Sequence, residues 1–233
     1  MTAVAGVLAG IEPPVTEQGD VMERTWDLYL YLGLAVFAFV FLLILFVVLR
    51  YRKRSDVLPR QKHYNIPAEV SYTVIPLLVI VALVAVTFVT VSSIRAVDDD
   101  EPDLVVDVTA FQWQWQFGYP AAGVEVTGGP APEEPTLVLP SESTIRFDLE
   151  SLDVVHSFWI TVFRFKRDII PGNPDSFSVE TDETTGDFPN AGVCAEYCGL
   201  DHAYMNFRVR LLPPDEFETW LTERAAERDE EMS

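Results

Sequence analysis

The segment CAEYCGLDHAYM, Cys194 to Met205, gathers two cysteines, a histidine and a methionine within twelve residues. The 233-residue chain has only two cysteines and three histidines, so this cluster holds both of the former and one of the latter. Three chemistries compete for such a set. A Cys194–Cys198 disulfide would close a very short loop, constrain the unfolded chain little, and leave His202 and Met205 without a role. Zinc would take four nitrogen and sulfur ligands, which Cys194, Cys198, His202 and the distant His156 supply, with Met205 surplus. Copper uses more of the set, because thiolate and thioether are soft donors and imidazole suits it as well. A mononuclear copper site on a β-sandwich needs one Cys, two His and a weak axial Met. Here His156 precedes Cys194 by 38 residues and the second cysteine is in excess. Two thiolates can each bridge two metals, which leaves one His for each copper and Met205 as a weak further ligand. Sharing one electron over two metals keeps the geometric change on transfer small. That is an electron-transfer design.

The elements that must position these residues fall into two groups. Leu28 to Leu49 is uncharged for 22 residues and Val70 to Ile94 for 25. At ~1.5 Å per residue both exceed the roughly 30 Å of bilayer hydrocarbon, so both are expected to span a membrane. Trp26, Tyr29 and Tyr31 stand at one end of the first span, where interfacial aromatics belong. Pro76 lies in the first turns of the second span, whose neighbours can satisfy the carbonyl it frees. Between the spans stand Arg50, Arg52, Lys53, Arg54, Arg60 and Lys62, which the positive-inside rule assigns to the cytoplasm. His63 in that loop reads as a solvated side chain. The expected layout is an external N-terminal segment over 1–26 and a transmembrane hairpin over 27–95. Its helices lie near 27–50 and 69–95 and its cytoplasmic loop over 51–68. The first twenty residues have no basic stretch of the kind that opens a secretory signal.

From Asp103 the pattern turns to alternation. FQWQWQFGY puts Phe111, Trp113, Trp115, Phe117 and Tyr119 on one face of an expected strand and Gln112, Gln114 and Gln116 on the other. TLVLP, STIRFDLE, HSFWITVF, SFSVET and MNFRVRLL read as further short strands between Gly, Pro and Asp turns. Such a series predicts a β-sandwich or small barrel over 98–213. An amphipathic C-terminal helix with an acidic tail follows over 214–233, carrying Phe217, Trp220 and Leu221.

Charge is segregated in the same way. From Asp98 onward there are 29 acidic and 8 basic residues, against 7 and 8 before it, for a total of −20. So negative an exterior excludes nucleic acid as a natural partner. It also suits a protein kept soluble in concentrated salt, so a salt-adapted source is expected.

The pattern C-x-E-x-C-x3-H-x2-M, with D-x-x-H-S about forty residues upstream, resembles subunit II of the haem-copper cytochrome c oxidases, and the likeness runs over nearly the whole chain. The resemblance implies an external cupredoxin-like, Greek-key β-sandwich that carries a dinuclear CuA centre. Its ligands would be His156, Cys194, Cys198, His202 and Met205, with the backbone carbonyl of Glu196. It also implies a magnesium ion reached by the Glu196 side chain at the boundary with a haem-bearing subunit I, and the family's Asp upstream of the first His ligand stands here as Asp153. Trp113 would be the residue through which electrons enter, although Gln114 stands where an aromatic residue usually follows. Glu69 would mark the entrance of a proton path, whereas a helix-terminal acid favoured by the dipole accounts for it equally. Trp115 and Phe117 read as ordinary core. The donor would be a cytochrome c or a small blue-copper protein. The chain would pass electrons to haem for oxygen reduction, coupled to proton translocation, without being catalytic alone. Rival readings are a membrane-anchored copper store or carrier, and a quinol-oxidase relative, which would lack the copper ligands.

Overall fold

A computed structural model describes residues 12–53, 61–94, 101–129 and 133–231. The chain separates into two compact units, one of residues 24–93 and the other of residues 1–23 with 94–233.

Helix α1 runs from Glu17 to Arg50 and α2 from Ile66 to Ile94. Both are long and apolar enough to cross a membrane, and their apolar side chains from Leu34 to Leu49 and from Val70 to Val91 are largely exposed. Such surfaces belong in lipid, so the chain is membrane-anchored. Within this pair the Thr25 and Thr90 hydroxyls lie 3.2 Å apart and Tyr29 Oη donates to the Leu83 carbonyl at 3.0 Å. These are polar links of the kind that join helices where water is absent. α1 begins ten residues before the expected start. The apolar run marks only the span, whereas the true N-terminus is set by Thr16, whose hydroxyl accepts the Gly19 N–H at 3.0 Å. Glu17 and Asp20 then complement the dipole in the first turn. Of the basic loop, Arg54 and Arg60 lie outside the described residues.

The second unit is a sandwich of two five-stranded sheets. The strands are β1 (Leu104–Phe111), β2 (Gln114–Tyr119), β3 (Val124–Thr127), β4 (Thr136–Pro140) and β5 (Thr144–Ser151). They continue with β6 (His156–Ile160), β7 (Phe165–Ile169), β8 (Asp175–Glu180), β9 (Gly186–Cys194) and β10 (Asn206–Leu212). One sheet has the order β3-β2-β1-β5-β8 and the other β4-β10-β9-β6-β7. β1 lies parallel to β5 and β4 parallel to β10, while the remaining pairs are antiparallel. Alternate side chains of β1, β2 and β5, among them Val108, Trp115, Phe117 and Phe147, meet Phe158, Phe207 and Val209 of the other sheet, all fully buried. Phe158 stacks on Phe207 at 5.1 Å and Trp115 meets Phe207 edge-on at 5.4 Å. The Tyr119 hydroxyl donates to the Val138 carbonyl at 2.8 Å and accepts the Val138 N–H at 3.0 Å, so its polar end is satisfied inside the core. Helix α3 (Pro214–Glu231) closes one end, with Trp220 5.2 Å from the Tyr119 ring.

The expected single strand over FQWQWQFGY is in fact two. β1 stops at Phe111 and β2 starts at Gln114, with those two residues paired across a tight hairpin. Phe111 and Trp113 therefore do not share a strand face with Trp115, Phe117 and Tyr119. The alternation is real only from Gln114 onward. Likewise HSFWITVF leaves the sheet after Ile160 and turns through a 3-10 segment, Thr161–Phe163.

A strap precedes α1. The Val15 N–H donates to the Val162 carbonyl and the Asp182 N–H to the Val15 carbonyl, each at 3.1 Å. Thr16 bridges to Thr181, and the Gln18 side-chain oxygen accepts the Glu180 N–H at 3.0 Å. The segment before the first membrane helix is thus part of the sandwich.

Candidate metal centre

His156 opens β6, Cys194 ends β9, and the loop from there to β10 carries Glu196, Cys198, His202 and Met205. Two backbone bonds and one from a side chain set this loop. The Cys194 N–H donates to the Met205 carbonyl, the Ala195 N–H to the Ser157 carbonyl, both at 3.0 Å, and the Trp115 indole N–H to the Met205 carbonyl at 3.3 Å. Both cysteine sulfurs, the His156 imidazole and the Met205 thioether are buried.

The two Sγ atoms lie 3.8 Å apart. A disulfide needs about 2.05 Å, so the cysteines are free. Around them the donors divide evenly. Cys194 Sγ has His156 Nδ1 at 3.9 Å and the Glu196 carbonyl oxygen at 3.3 Å. Cys198 Sγ has His202 Nδ1 at 3.7 Å and Met205 Sδ at 3.8 Å. Two sulfurs each about 2.3 Å from one ion at a tetrahedral angle would stand roughly 3.8 Å apart. The spacing would let both sulfurs share a metal, and a buried thioether in the set suits soft copper better than zinc.

Burial pushes the Cys194 thiol up, but hydrogen bonds from His156 and from the backbone at Ser157 and Glu196 bring it down to about 6. Burial and the neighbouring Cys194 charge push Cys198 up to about 12. One thiolate is thus formed readily, and the second needs a cation to form. On the far side of His156, Nε2 lies 2.9 Å from Asp153 Oδ1. Burial would raise the Asp153 carboxyl, yet its bonds from His156 and from the Gln112 and Val154 N–H groups hold it below the usual range. An ionised carboxylate only accepts, so Nε2 carries a proton; the Nδ1 side faces the Cys194 sulfur, the bonds to Cys194 and Asp153 raise the His156 imidazole against its burial, and Nδ1 would give up its proton to ligate a metal.

Trp113, half-buried at the rim, donates its indole N–H to the Cys198 carbonyl at 3.3 Å. That carbonyl also accepts the Gln112 side-chain amide at 2.7 Å. Gly199 makes the close approach possible. Its φ is +129°, and a Cβ there would stand 2.9 Å from the Trp113 ring and 3.1 Å from Gln112 Nε2. Gln112 and Gly199 were not singled out in the sequence, where only the glycine following Cys198 offers a signal.

Glu69 belongs to the helical unit. Its carboxylate accepts the Asn65 N–H at 2.9 Å while Asn65 Oδ1 accepts the Ala68 N–H at 3.4 Å, a reciprocal cap on α2.

A family model described as cytochrome C oxidase subunit II, periplasmic domain, matches residues 132–212. The chain is 32% identical to the probable cytochrome c oxidase subunit 2 of Nocardia farcinica, over 94% of this chain and 73% of that one. The chain belongs to the cytochrome c oxidase subunit II family. The probable subunit 2 of Streptomyces avermitilis is 34% identical over 93% of this chain and 79% of its own. The subunit 2 of Mycobacterium tuberculosis strain H37Rv is 34% identical, and the match takes in 64% of its length. Among solved structures, the periplasmic domain of subunit II (CoxB) of Bradyrhizobium japonicum matches 55% of this chain and 96% of its own at 28% identity, with a TM-score of 0.49. As a member of this family the chain is an oxidoreductase subunit. It serves where electrons enter a haem-copper oxidase, within an oxidase complex. The expectation of a membrane hairpin, a β-sandwich and a C-terminal helix agrees with the fold. Nothing among these relatives supports the salt-adapted source.

Proposed function

We propose that this subunit receives electrons at a dinuclear CuA centre held by His156, Cys194, Cys198, His202, Met205 and the Glu196 carbonyl. The observation that carries the reading is the even division of donors. Two buried sulfurs 3.8 Å apart each have one imidazole nitrogen and one weaker donor beside them. When bound, the copper pair supplies a one-electron acceptor with its charge shared over two metals. The chain's own residues do the rest. Asp153 holds the His156 imidazole in its ligating tautomer, and the packed β6, β9 and β10 ends hold the two thiolates at bridging distance. A rigid frame of this kind keeps reorganisation small when charge changes.

Trp113 is the point of electron input. Its half-buried ring is on the surface side and its indole N–H reaches the carbonyl of a ligand cysteine, which gives a short covalent and hydrogen-bonded route inward. The donor is a cytochrome c or a small blue-copper protein, and the acidic sandwich would steer a cationic one at low ionic strength. The acceptor is the haem-bearing subunit I, where oxygen becomes water with proton translocation. Glu196 has an exposed carboxylate on the ligand loop, a hard oxygen donor suited to a magnesium ion shared with that subunit. The basic loop between the spans is cytoplasmic, which sets the N-terminus and the copper domain on the external side of the cell membrane. Glu69, at the end of α2 next to that loop, would admit protons from the cytoplasm. A copper store or carrier is not favoured, since the relatives are oxidase subunits.

The test is copper per chain and the electron paramagnetic resonance spectrum of the assembled oxidase. Two coppers bound to this subunit, with hyperfine structure from one spin shared over two nuclei, are expected. A single mononuclear copper, or none, would overturn the assignment.

A further inference from the structure

Gln112 makes two contacts that no other residue near the sulfurs combines. Its backbone N–H donates to Asp153 Oδ2 at 2.7 Å, and Asp153 in turn takes the His156 Nε2 proton through Oδ1. Its side-chain amide donates to the Cys198 carbonyl at 2.7 Å, the shorter of two bonds converging there. The partners lie 41 and 86 residues away in sequence and come from different loops. One hairpin residue thus ties the loop that leads into His156 to the loop that carries Cys198. Trp113, its neighbour, can hold only one of them.

We propose that Gln112 is a positioning residue for the copper centre, setting the Cys198 sulfur against Cys194 and His156. The inference rests on the dinuclear copper reading above. Its physical basis is that the Cys198 carbonyl, in a loop turned by Gly199 at positive φ, has no other amide donor at normal distance among the described residues. Without the Gln112 amide only the 3.3 Å indole contact restrains it. The thiolate can then shift, and the sharing of spin between two metals depends on its position. Partners of ligands that lie one contact out commonly change metal affinity 10–100-fold.

The experiment is done on the assembled oxidase. Gln112→Glu keeps length and volume but replaces the amide donor by a carboxylate that repels the carbonyl oxygen, and leaves the backbone N–H bond in place. Gln112→Asn keeps the donors one methylene short. Gln116→Ala removes a surface amide that bonds Glu125 instead and serves as control. Copper hyperfine structure and the rate of copper loss to a copper(I) chelator are measured in each. For Gln112→Glu we expect altered hyperfine splitting and copper loss about 10–100 times faster, with haem spectra unchanged. Gln112→Asn should fall between, and the control should match the native protein. If Gln112→Glu does not assemble, Gln112→Asn decides by the same two readings. Native hyperfine structure and native copper loss in the variant that assembles would overturn the proposal. A native protein that itself has no dinuclear spectrum would instead overturn the copper reading beneath it.

Discussion

Replacing Asp153 by alanine should weaken copper binding, by an amount that follows from the His156 geometry. The imidazole is fully buried and its Nε2 proton has one partner, Asp153 Oδ1 at 2.9 Å. With metal at Nδ1 the proton must sit on Nε2, and in the variant that buried donor is left unsatisfied at a cost of about 1–3 kcal/mol. Without metal the ring can adopt the other tautomer and escape part of this cost. The difference therefore falls on binding. At about 1.4 kcal/mol per factor of ten, it amounts to roughly a 5–150-fold loss of affinity. Asp153→Asn keeps the Oδ1 acceptor for Nε2 and for the Val154 N–H but turns an amide toward the Gln112 N–H, so it should lose less. Competition with a copper(I) chelator at pH 7 measures both. Native affinity in Asp153→Ala would refute the argument that this carboxylate selects the ligating tautomer.

Trp113→Leu should slow reduction by the external donor tenfold or more in stopped-flow measurements and leave the copper spectrum intact; a collapsed spectrum would make Trp113 a structural residue. Copper uptake at pH 7 should release at least one proton per chain, from Cys198, which is held up to about 12. Cys194 is held down to about 6, so below that pH its proton must also leave and affinity should fall as pH drops. Calorimetry in buffers of different ionisation heat reads both, and equal release at pH 5 and pH 7 would contradict the ordering of the two thiols. For Glu69, Gln preserves size and a side-chain oxygen for the Asn65 N–H while Ala removes the cap, which is worth about 1 kcal/mol. Slow turnover in both with native copper content is expected of a proton-path residue; slow turnover in Ala alone would leave Glu69 a cap.

Some of this architecture is written locally and some is not. Cys194, Cys198, His202 and Met205 were legible as candidates because four sulfur and nitrogen donors crowd one loop, and His156 because the copper reading calls for a second histidine. The spans were legible by length. The hairpin at Gln112 was not, since the polar-apolar alternation continues through it and only bonds to Asp153 and Cys198, 41 and 86 residues away, bend the chain there. β9 is not among the expected strands because Gly186, Pro189 and Asn190 interrupt any alternation. The strand tolerates them where its pairing with β10 shifts register between Phe207 and Val209. β7, with Lys166, Arg167 and Asp168 in its middle, is a charged edge strand with no clean alternation. The strap at Val15–Gln18 has no motif at all, for its partners are backbone groups.

That strap imposes an order in time. Gln18 waits for Glu180, 162 residues later, and at 5–20 residues per second the wait lasts about 8–32 s of synthesis. Through that interval both membrane helices and most of the strands are made before the partner of Gln18 exists. Closure of this part of the sandwich is therefore a late event that reaches back to the Val15–Gln18 strap. Trimming past Val15, or a bulky tag fused directly before it, should yield a subunit that inserts in the membrane and yet exposes Val162 and Thr181 to protease.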